Sequence, residues 1–257
     1  MRSCLLTILS LAAFCCFGIN PKHFHSSIDP LFSHELDEQS ELQKIIQEIY
    51  GLFQEGDYEK ADSLCQNVVD QNIGSDSFLF WHLYGFVLKE KYELDKESIV
   101  RSKAIANFKT SIKLDTDHTI EEKSLQVIEY LNVSIFNEVS DLIQSNTPES
   151  LRLAEEYFRE YELNMNYLDG ESSAFYQQEI DYLLAMSSAF QTLAEKTEVI
   201  NEDYICRQEE YLSKALKCDP ENLSAQYHIF ALRNNRILRE IKRQEGGSKQ
   251  KEPTDPN

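Results

Sequence analysis

GDYEKADSLC, residues 56–65, decides the fold. Gly56 ends one helix, because a residue without Cβ takes the left-handed conformation that closes a helix at little cost. Asp57 caps the next helix by accepting from the free N–H groups of its first turn. Tyr58 and Ala61 then lie one turn apart, where a ring beside a small residue lets two antiparallel helices meet closely. Ten residues thus encode a helix end, a tight turn and a second helix folding back on the first.

Outward from this stretch the chain keeps the same character. Between Leu31 and Glu252 only Pro148 and Pro220 occur, and each follows a capping residue, Thr147 and Asp219, so each is read as the first residue of a helix. Ser40 with Gln43 and Thr119 with Glu122 read as capping boxes. Leu125, Ile128, Leu131, Ile135, Val139 and Leu142 step by three or four, the buried face of a helix of about seven turns. From Ser173 to Lys196 a second long stretch carries Tyr176, Ile180, Leu183, Leu184 and Leu193, with the small Ser187, Ser188 and Ala189 permitting close helix approach. No run shows the alternation of a half-buried strand. The predicted class is all-α.

The chain has 257 residues, 42% apolar and 27% charged, which excludes collagenous, low-complexity and polytopic membrane classes. Its 44 Asp and Glu against 25 Lys and Arg leave a net charge of -19, which repels a phosphate backbone, so no nucleic-acid partner is expected. Met1 and Arg2 followed by the apolar run from Leu5 to Phe17 and then Gly18 have the layout of a secretory signal peptide over residues 1–18, shorter than the ~20 residues of a spanning helix. Cys15 and Cys16 close this run and are candidate lipidation sites. Leu11 and Ala12 precede them, but Phe14 or Cys15 stands where a lipoprotein signal carries a small residue. Residues 1–18 are therefore read as removed or lipidated, and the protein as exported to the periplasm or to the outer membrane or cell surface, with lipid as a potential membrane attachment. Residues 19–39 read as an extended segment, 40–243 as one helical domain, and 244–257, rich in Gly, Pro and charge, as a disordered tail. Cys65, Cys206 and Cys218 are an odd set. The last two, on one helix, would stand about 18 Å apart, so all three read as core residues or free thiols.

The stretch Gly56 to Cys65 resembles the turn and second helix of a tetratricopeptide repeat (TPR). Trp81, Tyr84, Gly85 and Leu88 have the spacing of that family's first helix, and Ala104 with Phe108 that of its second. Trp81 to Ala104 is longer than the family allows, which predicts an extended turn around Glu93 to Ser98. Ala154 with Phe158 is a third match, and Ala215, Leu216 and Asp219-Pro220 close a fourth repeat before a last helix from Leu223 to about Arg243. Asn72, Asp115, Met165 and Asp219 as repeat ends give spacings of 43, 50 and 54, all above the usual ~34. The resemblance implies antiparallel helix pairs stacked as a TPR-like right-handed superhelix with elongated, degenerate repeats.

It also implies a concave groove, lined by the first helix of each pair, that takes up a protein or peptide. By position in the motif, Ile46, Tyr50 and Phe53 face that groove from the first pair and His82, Phe86 and Lys89 from the second. His82 and Phe86 stand where family members that grip a C-terminal carboxylate carry Lys and Asn, so that specificity is not carried over. These aromatics also fit a plain core at helical spacing, and the segment with Pro30, Leu31, Phe32 and Leu36 could fill a groove from within the same chain; the sequence leaves these readings open. The last helix bears Arg233, Arg236, Arg239, Lys242 and Arg243; residues 1–232 have a net charge of -22 and 233–257 of +3. It reads either as a capping helix or as a basic docking strip for an acidic partner, a neighbouring subunit or lipid headgroups.

Reactive constellations are missing from the sequence. Gly51 and Gly56 are spaced as in a phosphate loop, but Asp57 occupies the Lys position. Asp115, Asp117 and His118 read as a capped, solvated turn, and His23 with His25 as incidental. Two sequons, at Asn132 and Asn222, fall on predicted helices and read as chance. No catalytic residue, metal ligand or cofactor is expected. The expected role is a non-catalytic exported scaffold, with envelope assembly as its setting. A secreted interaction protein or chaperone is the alternative, and an exported hydrolase using a carboxylate pair a more distant one. The oligomeric state is not set by the sequence.

Overall fold

A computed structural model describes residues 41–169, 173–196 and 201–248. The expected signal peptide, its two lipidation candidates, the segment 19–39 and the cap at Ser40 lie outside these residues. Among the described residues the chain is all-α, with nine helices and no strand: α1 Glu41–Gln54, α2 Tyr58–Asp70, α3 Phe78–Asp95, α4 Ser98–Leu114, α5 Glu121–Ser145, α6 Pro148–Asp169, α7 Ser173–Lys196, α8 Glu202–Cys218 and α9 Leu223–Ser248. They fall into two compact units, the first holding residues 41–136 with Tyr161–Leu168, the second Asn137–Glu160 and the described residues after Leu168.

In the first unit the turn after α1 forms as the sequence predicts. Gly56 sits at φ 77°, and the Asp57 side chain accepts from the Lys60 N–H. Ala61, Cys65 and Val68 of α2 are buried, and the Phe53 and Tyr58 rings meet at 5.7 Å across the turn. Asp62 is buried with them and ties α2 to α3: its carboxylate accepts from the Tyr84 hydroxyl at 3.0 Å and from Lys91 Nζ at 2.9 Å. The low-dielectric surroundings strengthen these bonds and satisfy the charge.

α3 is the centre of this unit, buried without interruption from His82 to Lys89. Gly85 explains how α4 comes so near: a Cβ built there would stand 2.9 Å from the Phe108 ring. Phe108, Phe86 and His82 form a cluster of edge-to-face rings with centroids 5.0 to 5.7 Å apart. Gly85→Ala gains up to ~1 kcal/mol of helix propensity but forces the ring aside, an overpacking cost of ~1–3 kcal/mol. We therefore expect a net loss of about 1 kcal/mol in urea unfolding, and an unchanged or raised midpoint would show that the ring gives way freely.

The turn between α3 and α4 is not extended as predicted. It consists of Lys96 and Glu97 alone, with Lys96 at φ 56° as the helix cap. The surplus residues lengthen α3 to 18 residues instead, because Leu88 and Tyr92 continue its buried face and no Gly or Pro stops it. Two predicted caps also differ. Before α5, Asp115 accepts from the Thr119 hydroxyl at 2.8 Å and the Ile120 N–H at 2.7 Å, so Asp115 organises the start that had been expected of Thr119. Asp219 ends α8 and does not open a helix at Pro220; α9 starts at Leu223, where the Asn222 side chain accepts from the Ala225 N–H at 3.0 Å. At Pro148 the prediction holds, with Thr147 and Ser150 capping each other reciprocally. Within the first unit α5 and α6 meet through Asn164, which donates to Asn132 Oδ1 at 3.1 Å and accepts from Lys109 Nζ at 2.7 Å, while Asn132 donates to the Tyr161 carbonyl at 3.3 Å.

In the second unit Phe158 of α6 stacks on Tyr182 of α7 at 3.6 Å. Tyr211 of α8 meets Tyr182 edge-on at 6.1 Å and lies nearly parallel to Phe190 at 5.8 Å. Glu155 accepts from both the Tyr211 hydroxyl and Arg207. Ile180, Leu183 and Leu193 are buried as the periodicity of α7 predicts, whereas Tyr176 is exposed. α9 continues through residues 244–248, where composition predicts the start of a tail; no proline interrupts it before 253.

Candidate functional site

Of the six groove residues predicted in the first two helix pairs, five are buried and one is half-buried. Ile46, Phe53, His82, Phe86 and Lys89 are buried, and Tyr50 is half-buried, its hydroxyl accepting from Gln54 Nε2 at 2.8 Å. His82 Nδ1 and Ser124 Oγ are hydrogen-bonded at 3.0 Å. Burial, aided by the nearby Lys123 charge and opposed by Asp115, pushes the imidazole pKa down to about 4, so His82 is neutral near pH 7. Lys89 pairs with Glu90 at 2.8 Å and lies over the Tyr130 ring at 5.6 Å.

An open groove lies instead in the second unit, where α9 docks by its first half and leaves space along its second. Ala225 and Ile229 are buried. Beyond them a groove of about 540 Å³ opens, walled by Gln191, Ala194 and Glu195 of α7, Ile205 and Gln208 of α8, and His228, Leu232, Asn235, Leu238, Arg239 and Lys242 of α9. Gln208 donates to Gln191 at 3.4 Å and Gln191 to Glu195 at 2.9 Å, a short relay of amides that ends on a carboxylate. Glu195 stands on the α7 wall, with Arg239 and Lys242 contributed by the α9 wall. Ile205, Leu232 and Leu238 supply apolar surface between them. The groove thus combines amides, a carboxylate on one wall, cations on the other and a few aliphatic side chains.

The three predicted basic residues separate. Arg239 lines this groove and donates through Nε to the Asn235 carbonyl. Arg233 pairs with Glu209 of α8 at 3.0 Å, and Arg236 approaches the same carboxylate at 3.8 Å. Sequence reasoning missed Gln191, Gln208, His228 and Asn235, because it sought the groove on the first helix of each pair. The only signal pointing here was the basic run of α9.

Other candidates resolve simply. Asp115 is engaged with Thr119 and Ile120, and His118 pairs with Glu121. Among the described residues no three His, Cys, Asp or Glu gather as a metal site, and no helix is long and apolar enough to cross a membrane. Cys65 and Cys206 are free thiols, and Cys218 Sγ donates to Glu179 at 3.5 Å. No protein-family model, curated protein or solved structure matches the chain.

Proposed function

We propose that this chain is a non-catalytic, exported scaffold of TPR-like helix pairs that binds an extended peptide or short helix of another protein, in the assembly of a bacterial-type cell envelope. The observation that carries the reading is the groove of α7 to α9, with its amide relay, opposed charges and aliphatic surface. The contact of Gly85 with Phe108, two residues of the repeat motif on paired helices, supports the TPR-like reading. Export rests on residues 1–18 of the sequence alone.

A photo-crosslinking residue at Asn235, in the chain expressed in its own host, tests this reading. We expect it to trap one defined exported protein, and Leu238→Glu to abolish the adduct without moving the unfolding midpoint. The same residue at Lys60, an exposed position in the other unit, should trap none. Equal labelling from both positions, or none from either, overturns the groove as a binding site. Recovery of the chain from its host with Met1 intact removes the export.

A further inference from the structure

α9 carries a second surface, on the side away from its docking face. Leu223, Tyr227, Phe230, Asn234, Ile237 and Ile241 follow one another by four, three, four, three and four residues. This is the 3.5-residue period of a coiled-coil seam, with Tyr227, Asn234 and Ile241 at one core position of the heptad and Leu223, Phe230 and Ile237 at the other. All five apolar members are exposed, at 79, 69, 65, 54 and 45% in chain order. Ala225 and Ile229, the residues by which the helix docks, are on the opposite side and buried. A soluble chain has no reason to keep five large apolar side chains in heptad register towards water unless they are covered.

What covers them follows from the seam itself. Four of the cations of α9 are directed elsewhere: Arg233 and Arg236 engage Glu209, and Arg239 and Lys242 line the groove. No member of the seam is itself charged, so the stripe offers no charge to an acidic peptide or to a lipid headgroup, and the chain as a whole carries -19. Its one polar member, Asn234, is costly in an apolar seam unless it meets a second amide, and a second copy in register brings one to the same level. The area is adequate as well. Two of the side chains are aromatic, at ~200 Å² each, and with the three aliphatic ones the stripe offers several hundred Å², the scale of one side of a standard interface at ~800 Å². We propose that α9 pairs with α9 of a second copy as a parallel two-stranded coiled coil about 27 Å long, with Asn234 against the partner's Asn234.

Sedimentation equilibrium of the full chain, purified from its host, tests the pairing. We expect the mass of two chains at about 100 μM, a range in which short coiled coils associate. The dimer fraction should rise with salt, because the excess negative charge on each copy is screened while the seam is apolar. Phe230→Glu with Ile237→Glu should give one-chain mass at every concentration, with unchanged circular dichroism and unfolding midpoint. As an independent measure in a Cys206→Ser background, Asn234→Cys should oxidise to a linked dimer and Arg236→Cys, on the docked side, should not. One-chain mass at about 100 μM in high salt, or a dimer that survives the double substitution, overturns the proposal. So does one-chain mass together with flotation on phosphatidylserine vesicles, which gives the seam to a membrane, or a dimer seen only after removal of residues 19–39, which gives it to that segment.

Discussion

Phe108→Ala should lower the unfolding free energy by about 3–5 kcal/mol. Phe108 is fully buried. Its ring meets Phe86 at 5.0 Å and 88° and His82 at 5.7 Å and 79°, geometries in which the positive ring edge faces a negative ring face. The third wall is Gly85, which has no side chain to fall into the space that truncation would open. The void therefore persists, and the cavity cost adds to the lost transfer free energy. Urea unfolding followed by circular dichroism measures it, with an unchanged m-value showing that the comparison remains two-state. A loss below about 1 kcal/mol would mean that α3 and α4 close over the gap, contrary to the packing described.

Acid should destabilise the fold through His82, by about 3 kcal/mol between pH 6.5 and pH 4. The folded-state pKa is depressed to about 4 from 6.5. Above pH 6.5 the imidazole is neutral in both states and contributes no pH dependence. As pH falls below 6.5 the unfolded chain binds the proton first, so stability is lost until the folded pKa is reached and then levels off for this group. Burial is the main cause, with Lys123 adding to it and Asp115 opposing it. His82→Gln keeps a hydrogen-bonding group towards Ser124 and removes the titration. Its stability should fall less steeply over this window by that amount. Carboxylates held low do not disturb the comparison. At Glu93 burial is outweighed by bonds from Lys96 and Tyr130, and at Glu210 Lys214 is the main partner; both contribute equally to the two proteins. Parallel stability curves for the two proteins would place the His82 proton equilibrium near its ordinary value.

The helices were legible in the sequence wherever a local signal suffices. The Gly56-Asp57 turn, the Thr147-Pro148 start and the span from Ser173 to Lys196 all depend on residues close together in the chain. Failures came where a distant partner or competing local group decides. Thr119 is a good cap by itself, but the Asp115 carboxylate four residues earlier accepts hydrogen bonds from both its hydroxyl and the Ile120 N–H. The surplus between Trp81 and Ala104 could enter a turn or a helix, and the buried face of α3, continued by Leu88 and Tyr92, took it into the helix. For the site the limit is more basic. Whether Phe86 and His82 face a groove or a core depends on the closeness of α4, which Gly85 permits but no periodicity reveals. The groove of α7 to α9 is built from ordinary amides that stand out in no sequence window.

The amide pair Asn132 and Asn164 acts as a vernier between α5 and α6. Apolar stripes interlock at several settings, since a slip by one turn carries one row of side chains into the next hollow. The two amides tolerate no such slip. Asn132 is 1% exposed and Asn164 4%, and displacement by a turn would leave both amides without their partners in a site closed to water, at ~1–3 kcal/mol for each group. In a chain of similar helices bearing similar stripes, these two residues distinguish one alignment from its neighbours. Their value lies less in the stability they add than in the misaligned states they remove.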